Sequence, residues 1–202
     1  MLIKSKYKIA RRLGVPVFEK TQTQKFALSM GRRGERSRKH PKTLTDFGRQ
    51  LLEKQKVRYT YLINERQLKK YVQQILSKKG IKQDERLYET LERRLDSVAY
   101  RLGLGPTRLG VRQIVNHGHL CVNGRRVDIP SCRLEEGDVV SIRPGSSKKK
   151  IFDKLDEKLP ALSVPNWLSL DPIKKQGTVT GTPKLEAGSG LDFTTVLEFY
   201  KR

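Results

Sequence analysis

Apolar residues recur at helical spacing over much of the chain before Gly103, and capping residues precede these runs. Thr45 is placed to cap a helix that runs to about Tyr61. Asn64 and Gln67 stand at capping-box spacing ahead of a second helix that ends at Gly80. A third helix begins at Asp84, and its apolar positions, one turn apart, are Leu87, Leu91, Leu95, Val98 and Leu102. The pattern predicts a helical domain over residues 45–92, with the third helix continuing to the break at residues 103–106.

After residue 106 the segments become shorter and the apolar period changes. Thr107 can cap a short helix that ends at Gly118. Two strands, Leu120–Val122 and Arg125–Val127, then flank Asn123-Gly124, the strongest short-range signal for a β-hairpin. A further strand is predicted at Asp138–Arg143, and Phe193–Tyr200 fits one face of a terminal helix. These elements indicate an α+β fold.

The same pattern divides the chain into segments. Residues 1–44 are predicted to be a basic extended arm, because Met30–Lys42 holds six Lys/Arg residues and one His but almost no apolar side chain. The arm is either a solvated tail or a segment that folds along phosphates. Residues 93–150 form a small module inserted before a proline-punctuated extension with short strands, residues 151–189. Residues 190–202 are expected to complete the helical domain of residues 45–92.

The charge of the chain indicates what kind of partner it binds. The chain has 43 Lys+Arg against 21 Asp+Glu, a formal net charge of +22, and a pI near 10.2. Such self-repulsion is relieved by a polyanion, with nucleic acid the first candidate and an anionic membrane the second. A spanning helix needs about 20 apolar residues, whereas the longest uncharged apolar stretch, Leu159–Leu170, is interrupted by prolines. No membrane partner and no signal peptide are therefore expected, although the acid-free residues 1–18 leave a transit peptide open.

Candidate chemistry is concentrated between Arg94 and Arg143. Arg108 and Arg112 are four residues apart on one predicted helix, so they share a face that can contact successive phosphates. The hairpin turn, residues 123–126, adds two arginines beside a tight turn where backbone donors can approach a sugar-phosphate chain. The alternative interpretation is a solvated helix face beside an ordinary turn.

Several motifs in this region resemble a known family. RLD at Arg94–Asp96, RQIVNHGH at Arg112–His119 and VNGRRV at Val122–Val127 are similar to the small RNA-binding domain, the alpha-L motif, named after ribosomal protein S-four. Outside the module, Leu52–Val72, the PNWLSLD segment at Pro165–Asp171 and the terminal VLEFYKR resemble the flanking regions of that ribosomal protein family. The resemblance covers nearly the whole chain after about Thr45.

The resemblance implies a protein of the small ribosomal subunit that binds rRNA directly and early in assembly. Its implied partners are small-subunit rRNA, neighbouring ribosomal proteins, and mRNA where it enters the subunit, with a contribution to translational accuracy. It implies a bacterial cytoplasmic or a plastid ribosome. Leu95, Val98, Val115, Val122, Val127 and Ile142 are expected to form the core of the module. The module residues expected to contact RNA are Arg94, Thr107, Arg108, Arg112, Gln113, His117, Gly118, Asn123, Gly124, Arg125, Arg126 and Ser131.

Basic residues before the module are a second group of expected RNA contacts. They are Arg32, Arg33, Arg36, Arg38, Lys39, Arg49, Lys54 and Lys56. The arm departs from the family pattern in one respect. Some members carry a metal-binding cysteine cluster there, whereas residues 1–60 of this chain contain no cysteine. No metal and no cofactor are therefore expected.

The sequence also contains residues that suggest other kinds of chemistry. His117, His119 and Cys121 alternate and suggest zinc, but they lack the paired close spacings of structural zinc sites, and Gly118 breaks the shared face. Cys121 is more simply a small buried apolar residue. Asp96 resembles the catalytic aspartate of pseudouridine synthases, yet only 59 residues follow Arg143, too few for their catalytic domain. Asp96 is instead expected to pair with a local arginine or to cap the module.

A third rival, a tyrosyl-tRNA synthetase, requires a nucleotide-binding domain with a glycine-rich phosphate loop. Gly103, Gly105 and Gly110 lie between two predicted helices rather than after a strand, so they do not form such a loop. The chain is therefore interpreted as a non-catalytic RNA-binding protein. It captures phosphates electrostatically and reads the shape of folded RNA.

Overall fold

A computed structural model describes residues 3, 5–36, 44–78, 82–153, 155–185 and 190–201. The chain divides into two compact units, one made of Met1–Leu87 with Glu186–Arg202 and the other of Tyr88–Leu185. The helices of the described residues are α1 (Lys6–Leu13), α2 (Gln24–Arg36), α3 (Asp46–Thr60), α4 (Glu65–Leu76), α5 (Gln83–Glu92), α6 (Leu95–Arg101), α7 (Arg108–Asn116), α8 (Leu155–Lys158) and α9 (Phe193–Lys201). The strands are β1 (Leu120–Val122), β2 (Arg125–Val127), β3 (Val139–Ile142), β4 (Leu168–Asp171) and β5 (Gln176–Val179).

The helix caps expected from the sequence are present. The side chain of Thr45 accepts a hydrogen bond from the backbone N–H of Gly48, and that of Asn64 accepts one from Gln67. Each cap satisfies a backbone donor that the first turn of a helix leaves without a partner. The predicted end of the second helix, Gly80, lies outside the described residues. The α+β class, with a helical N-terminal domain, is confirmed.

The first unit is closed by the C-terminal helix, which packs on α3 and α4. α9 buries Phe193, Val196 and Leu197. The hydroxyl of Tyr200 donates a 2.7 Å hydrogen bond to Glu65, which also accepts one from Lys54 at 3.0 Å. Burial and the bond to Glu65 raise the pKa of Tyr200.

The expectation of an extended arm is wrong for residues 6–36, which form α1, a short turn and α2. The expectation was based on the basic stretch Met30–Lys42 and did not take into account the apolar residues earlier in this segment. Ala10, Phe18 and Phe26 are buried in one cluster with Leu62. The end of the predicted arm, residues 37–43, lies outside the described residues, so its course beyond α2 stays an expectation.

The second unit departs from the predicted continuous third helix. The helix is interrupted at Arg93 and Arg94, and Arg94 takes an extended conformation with ψ near 142°. Its backbone forms a β-bridge with Arg133, and the N–H of Leu95 bonds to the carbonyl of Cys132 at 2.8 Å. Pairing with a distant segment therefore replaces one helical turn, which the local apolar period cannot reveal.

The sheet of the second unit is antiparallel, with the strand order β2-β1-β3-β5-β4. β3 pairs with both β1 and β5, so the extension after the module contributes two strands to the same sheet. One hydrophobic core joins α6 and α7 to the sheet. Of the predicted core residues, Leu95, Val98, Val115, Val122 and Ile142 are buried, and Val127 is partly buried. None of the helices in the described ranges is long and apolar enough to cross a bilayer.

Candidate nucleic-acid interface

Helix α7 supports one side of the candidate surface. Thr107 caps it by accepting a 3.0 Å hydrogen bond from the N–H of Gly110, and its apolar face is buried. The helix ends at Asn116 with His117 as its C-cap, and Gly118 follows with φ near 67°, a conformation that glycine adopts without strain. Gln113 and His117 are exposed on the outer face. Capping is therefore the role the structure gives to the Thr107 hydroxyl.

The hairpin turn is fixed by its own asparagine. Asn123 and Gly124 both have positive φ, 50° and 78°, as a two-residue turn of this type requires. The Asn123 side chain donates to Asp138 at 2.7 Å and accepts from the N–H of Val139 at 2.9 Å. Both polar ends of that amide are thus used to hold the turn on β3, while Gly124 and Arg125 are exposed.

Arg126 links the hairpin to the end of α7. A Cβ atom built on Gly118 would lie 2.6 Å from Nη2 and 2.7 Å from Cζ of Arg126. The guanidinium therefore lies directly against the Gly118 backbone. Gly118 itself is buried, so its contribution is to give Arg126 this position rather than to expose a backbone group widely.

His119 is buried close to several basic residues. Its Nδ1 is 3.0 Å from the hydroxyl oxygen of Ser146, and its ring contacts Phe152 edge to face. Burial lowers the pKa of His119, and the neighbouring Lys149, His117, Arg143 and Arg126 lower it further.

We call the resulting patch the hairpin basic surface. It comprises the exposed residues His117, Arg126, Arg143 and Lys149 around His119, with Arg125 of the same hairpin. Arg143 and Lys149 were not among the residues singled out from the sequence. The run of three lysines, residues 148–150, is visible in the sequence. The position of Arg143 is not, because only the antiparallel pairing of β1 with β3 brings it beside His119, where the Arg143 backbone N–H donates to the His119 carbonyl at 2.9 Å.

Arg94 does not belong to an RNA-contacting surface, contrary to the expectation from the sequence. It is only 2% exposed and donates two hydrogen bonds, of 2.9 Å and 2.6 Å, to the carboxylate of Asp96. The structure thus confirms that Asp96 pairs with a local arginine. A buried carboxylate without a charged partner is strongly destabilising, so the Arg94 side chain is directed towards Asp96 and away from solvent.

Arg108 and Arg112 share a helix face, as expected, but that face is turned towards buried acids. The side chain of Arg108 is 13% exposed, lies 3.7 Å from Glu92 and stacks on Tyr100. Arg112 is 31% exposed and lies 3.9 Å from Asp96. Arg108 is therefore a mainly structural residue, whereas Arg112 keeps a solvent-facing part that can contact RNA.

The basic residues of the first unit that were expected to contact RNA also differ in exposure. The expectation that Lys54 contacts RNA is wrong. Its side chain is 8% exposed, pairs with Glu65, and its Nζ lies 4.1 Å from the centre of the Phe199 ring. Lys56 is paired with Glu53 and only 17% exposed. Arg32 and Arg49 are exposed, and α2 contains Arg33 and Arg36, whereas Arg38 and Lys39 lie outside the described residues. In the second unit, Ser131 is exposed in the turn before Cys132.

The alternating His117, His119 and Cys121 do not form a shared metal-binding face. His117 is exposed at the helix end, whereas His119 and Cys121 are buried. Over the described ranges, no three His, Cys, Asp or Glu side chains are grouped so that they could hold a metal ion.

Two family models match this chain. The model described as "Ribosomal protein S4/S9 N-terminal domain" matches residues 1–92, and the one described as "S4 domain" matches residues 93–140. Small ribosomal subunit protein uS4 from Chloroflexus aurantiacus is 38% identical over 200 residues, which cover 96% of each chain. The protein of the same name from Roseiflexus castenholzii is 40% identical over 200 residues, with the same coverage. That from Laribacter hongkongensis is 38% identical over 201 residues, covering 98% of this chain and 97% of the relative. The similarity therefore extends over both units of the fold.

Proposed function

Because the chain belongs to the uS4 family of small ribosomal subunit proteins, we propose that it binds small-subunit rRNA through the hairpin basic surface. It is a structural constituent of the small ribosomal subunit. Its other partners are neighbouring ribosomal proteins. The observation that supports the assignment of the site is the exposed Arg126 placed against the Gly118 backbone, with exposed Arg143 paired with the neighbouring His119 across β1 and β3.

The mechanism follows from how these cations are held. Arg126 lies against Gly118, and the hairpin turn is fastened to β3 through Asn123. Cations held close together repel one another, and RNA phosphates relieve that repulsion while releasing bound counterions. Because hydrogen bonds already fix the helix cap and the hairpin turn, little conformational entropy is lost when the phosphates bind. The surface therefore recognises the position of phosphates more than the identity of bases.

We propose three finer roles that rest on the family resemblance. The protein binds rRNA early and nucleates assembly of its part of the subunit. It lies near the side where mRNA enters and contributes to accuracy there. It acts in the bacterial cytoplasm, with the plastid stroma as the alternative. The high positive charge of the chain supports the first role, since early binding occurs on RNA not yet covered by other proteins.

We further propose that the protein works without a catalytic step. The carboxylate of Asp96, the one residue that suggested an RNA-modifying enzyme, is 6% exposed and held by Arg94. A catalytic carboxylate must reach the proton or atom on which it acts. Here the carboxylate instead neutralises a buried arginine, which supports a structural role.

The site is tested by measuring rRNA affinity over a range of salt concentrations. Arg125→Gln and Arg126→Gln should each weaken binding and lower the slope of log K against log salt by about one, because each removes one phosphate contact. Lys174→Gln is the matched control. It removes an exposed cation in the turn between β4 and β5, at the opposite edge of the sheet from β2. Equal behaviour of the hairpin variants and the control would place the RNA site elsewhere.

A further inference from the structure

Three buried carboxylates lie where α5 ends and α6 begins. Glu89, Glu92 and Asp96 are 9%, 0% and 6% exposed. Removing a carboxylate from water is costly unless charged partners and hydrogen bonds compensate. The arginines that pair with these three buried carboxylates therefore explain how the carboxylates can be buried.

Each carboxylate holds an arginine that also reaches the surface. Glu92 accepts two hydrogen bonds from Arg101, of 3.0 Å and 2.9 Å. Asp96 lies 3.9 Å from Arg112, and Glu89 lies 3.7 Å from Arg133. The side chains of the three arginines are 36%, 31% and 48% exposed, in the order Arg101, Arg112, Arg133. The carboxylates of these pairs are thus buried, whereas the arginine side chains are partly exposed.

The three pairs belong to one connected support. Arg108 lies 3.7 Å from Glu92 and donates a 3.2 Å hydrogen bond to Ser97, the neighbour of Asp96. The β-bridge between Arg94 and Arg133 attaches the third pair, because the N–H of Leu134 also donates to the carbonyl of Arg93 at 2.8 Å. Movement of one arginine is therefore restricted by the same packed backbone that restricts the others.

Each of the three carboxylates pairs with two arginines of different exposure. Glu89 pairs with Arg93 (11% exposed) and Arg133, Glu92 with Arg108 (13%) and Arg101, and Asp96 with Arg94 (2%) and Arg112. The buried arginine of each pair already offsets the loss of hydration of the buried carboxylate. The second, more exposed arginine is positioned where a solvent-borne anion can reach it. Arginine binds phosphate with a planar fork of donors, so a held guanidinium is a prepared phosphate contact.

We propose that Arg101, Arg112 and Arg133, here called the arginine row, form a second phosphate-binding surface of this unit, separate from the hairpin basic surface. Glu89, Glu92 and Asp96 are positioning residues that hold the row in place. The inference rests on the proposed rRNA-binding function and adds Arg101 and Arg133 to its binding residues. The ligand is the sugar-phosphate backbone of the bound RNA.

The direct test uses the full chain and a small-subunit rRNA fragment, with affinity measured by fluorescence anisotropy at several salt concentrations. Arg101→Gln and Arg133→Gln should each weaken binding about tenfold and reduce the salt slope by about one. Lys174→Gln again serves as the control with the same loss of charge. Affinities of the row variants equal to that of the control would overturn the inference.

Two further variants separate position from charge. Glu92→Gln raises the net charge by one, so an effect of charge alone would tighten binding, whereas loss of the held Arg101 should weaken it. Arg101→Lys keeps the charge but removes the planar fork, and it should also weaken binding. If circular dichroism shows that Glu92→Gln does not fold, the RNA affinity of Arg101→Lys alone tests the positioning role. Tighter binding of a folded Glu92→Gln, or unchanged binding of Arg101→Lys, contradicts a positioning role.

The outcome separates this inference from the proposed function. If the wild-type chain does not bind the rRNA fragment, the proposed function fails. If the wild type binds and the hairpin variants weaken binding while the row variants do not, only the arginine row is rejected. It is also rejected if the row variants retain RNA affinity but lose association with a neighbouring ribosomal protein, since the row would then serve a protein partner.

Discussion

Replacing Gly118 with alanine tests whether the position of Arg126, rather than its charge, determines RNA affinity. The added methyl group would lie 2.6 Å from Nη2 and 2.7 Å from Cζ of Arg126. Since non-bonded heavy atoms prefer separations of about 3.5 Å or more, the guanidinium must move by about 1 Å. A charge-assisted hydrogen bond is short and directional, so a shift of that size removes it.

The expected magnitude separates stability from binding. Alanine in the left-handed conformation of Gly118 costs about 1–2 kcal/mol of folding free energy. Displacing Arg126 adds little to that cost, because its exposed guanidinium can move away from residue 118 into solvent. Loss of one hydrogen bond to a charged group is worth about 1.5–3 kcal/mol, which corresponds to at least a tenfold weaker Kd for the rRNA fragment.

Gly137→Ala is the matched control for this prediction. Gly137 also has positive φ, near 93°, but a Cβ there meets nothing within 4 Å. Both variants should therefore lose similar stability in urea unfolding, while only Gly118→Ala loses RNA affinity in anisotropy titrations. The double variant Gly118→Ala/Arg126→Gln should bind no more weakly than Arg126→Gln, because both changes remove the same contact. Equal RNA affinities for Gly118→Ala and Gly137→Ala would refute the reasoning.

Three other predictions concern the buried polar groups. Asp96→Asn leaves Arg94 buried without its carboxylate and should lower the free energy of unfolding in urea by about 3–5 kcal/mol, so a loss below about 1 kcal/mol would contradict the pairing. Because burial lowers the pKa of His119, the unfolded chain binds this proton more readily than the folded one, so stability should fall as pH decreases through about 6.5 and level off below the lowered pKa. Comparison of urea unfolding at about pH 7.5 and pH 5 should show a smaller pH effect in His119→Gln, and an identical effect would exclude His119 as a cause. Tyr200→Phe removes the hydrogen bond to Glu65 and should lower the free energy of unfolding by about 1–2 kcal/mol, with no change in rRNA affinity as its control measurement.

The features predicted correctly from the sequence depend on residues close together in the chain. The caps at Thr45, Asn64 and Thr107 each accept a hydrogen bond from a residue three positions later. The Asn123-Gly124 turn is likewise determined by the conformations that these two residues tolerate. Local physics is sufficient for such elements, because a four-residue window contains both partners of the interaction.

The features missed or misjudged depend on distant partners. The break at Arg94 arises from pairing with Arg133, and no local pattern announces it. Arg94 and Lys54 were expected at the surface because arginine and lysine are rarely buried without a partner. Their acids, Asp96 and Glu65, were visible in the sequence, but only the fold shows that pairing with them leaves Arg94 and Lys54 buried.

The exposure of the candidate RNA contacts was predicted more reliably on the hairpin than on the helix. A turn of two residues has to project beyond its strands, so the exposure of Arg125 follows from the turn itself. The direction of Arg108 depends instead on Glu92, which belongs to another helix. Arg143 and Lys149 were missed for the same reason, since the sheet and the turn after it bring them to His119.

The position of α9 has a consequence for the order in which the chain folds during its own synthesis. The first unit buries Phe193, Val196 and Leu197 of this helix, yet the 98 residues of Tyr88–Leu185 are translated before it. At about 5–20 residues per second, those residues take about 5–20 s to be added. The unit that begins second is thus the one whose sequence is completed first. Nascent chains can therefore present the hairpin basic surface to rRNA while α3 and α4 still await their final partner.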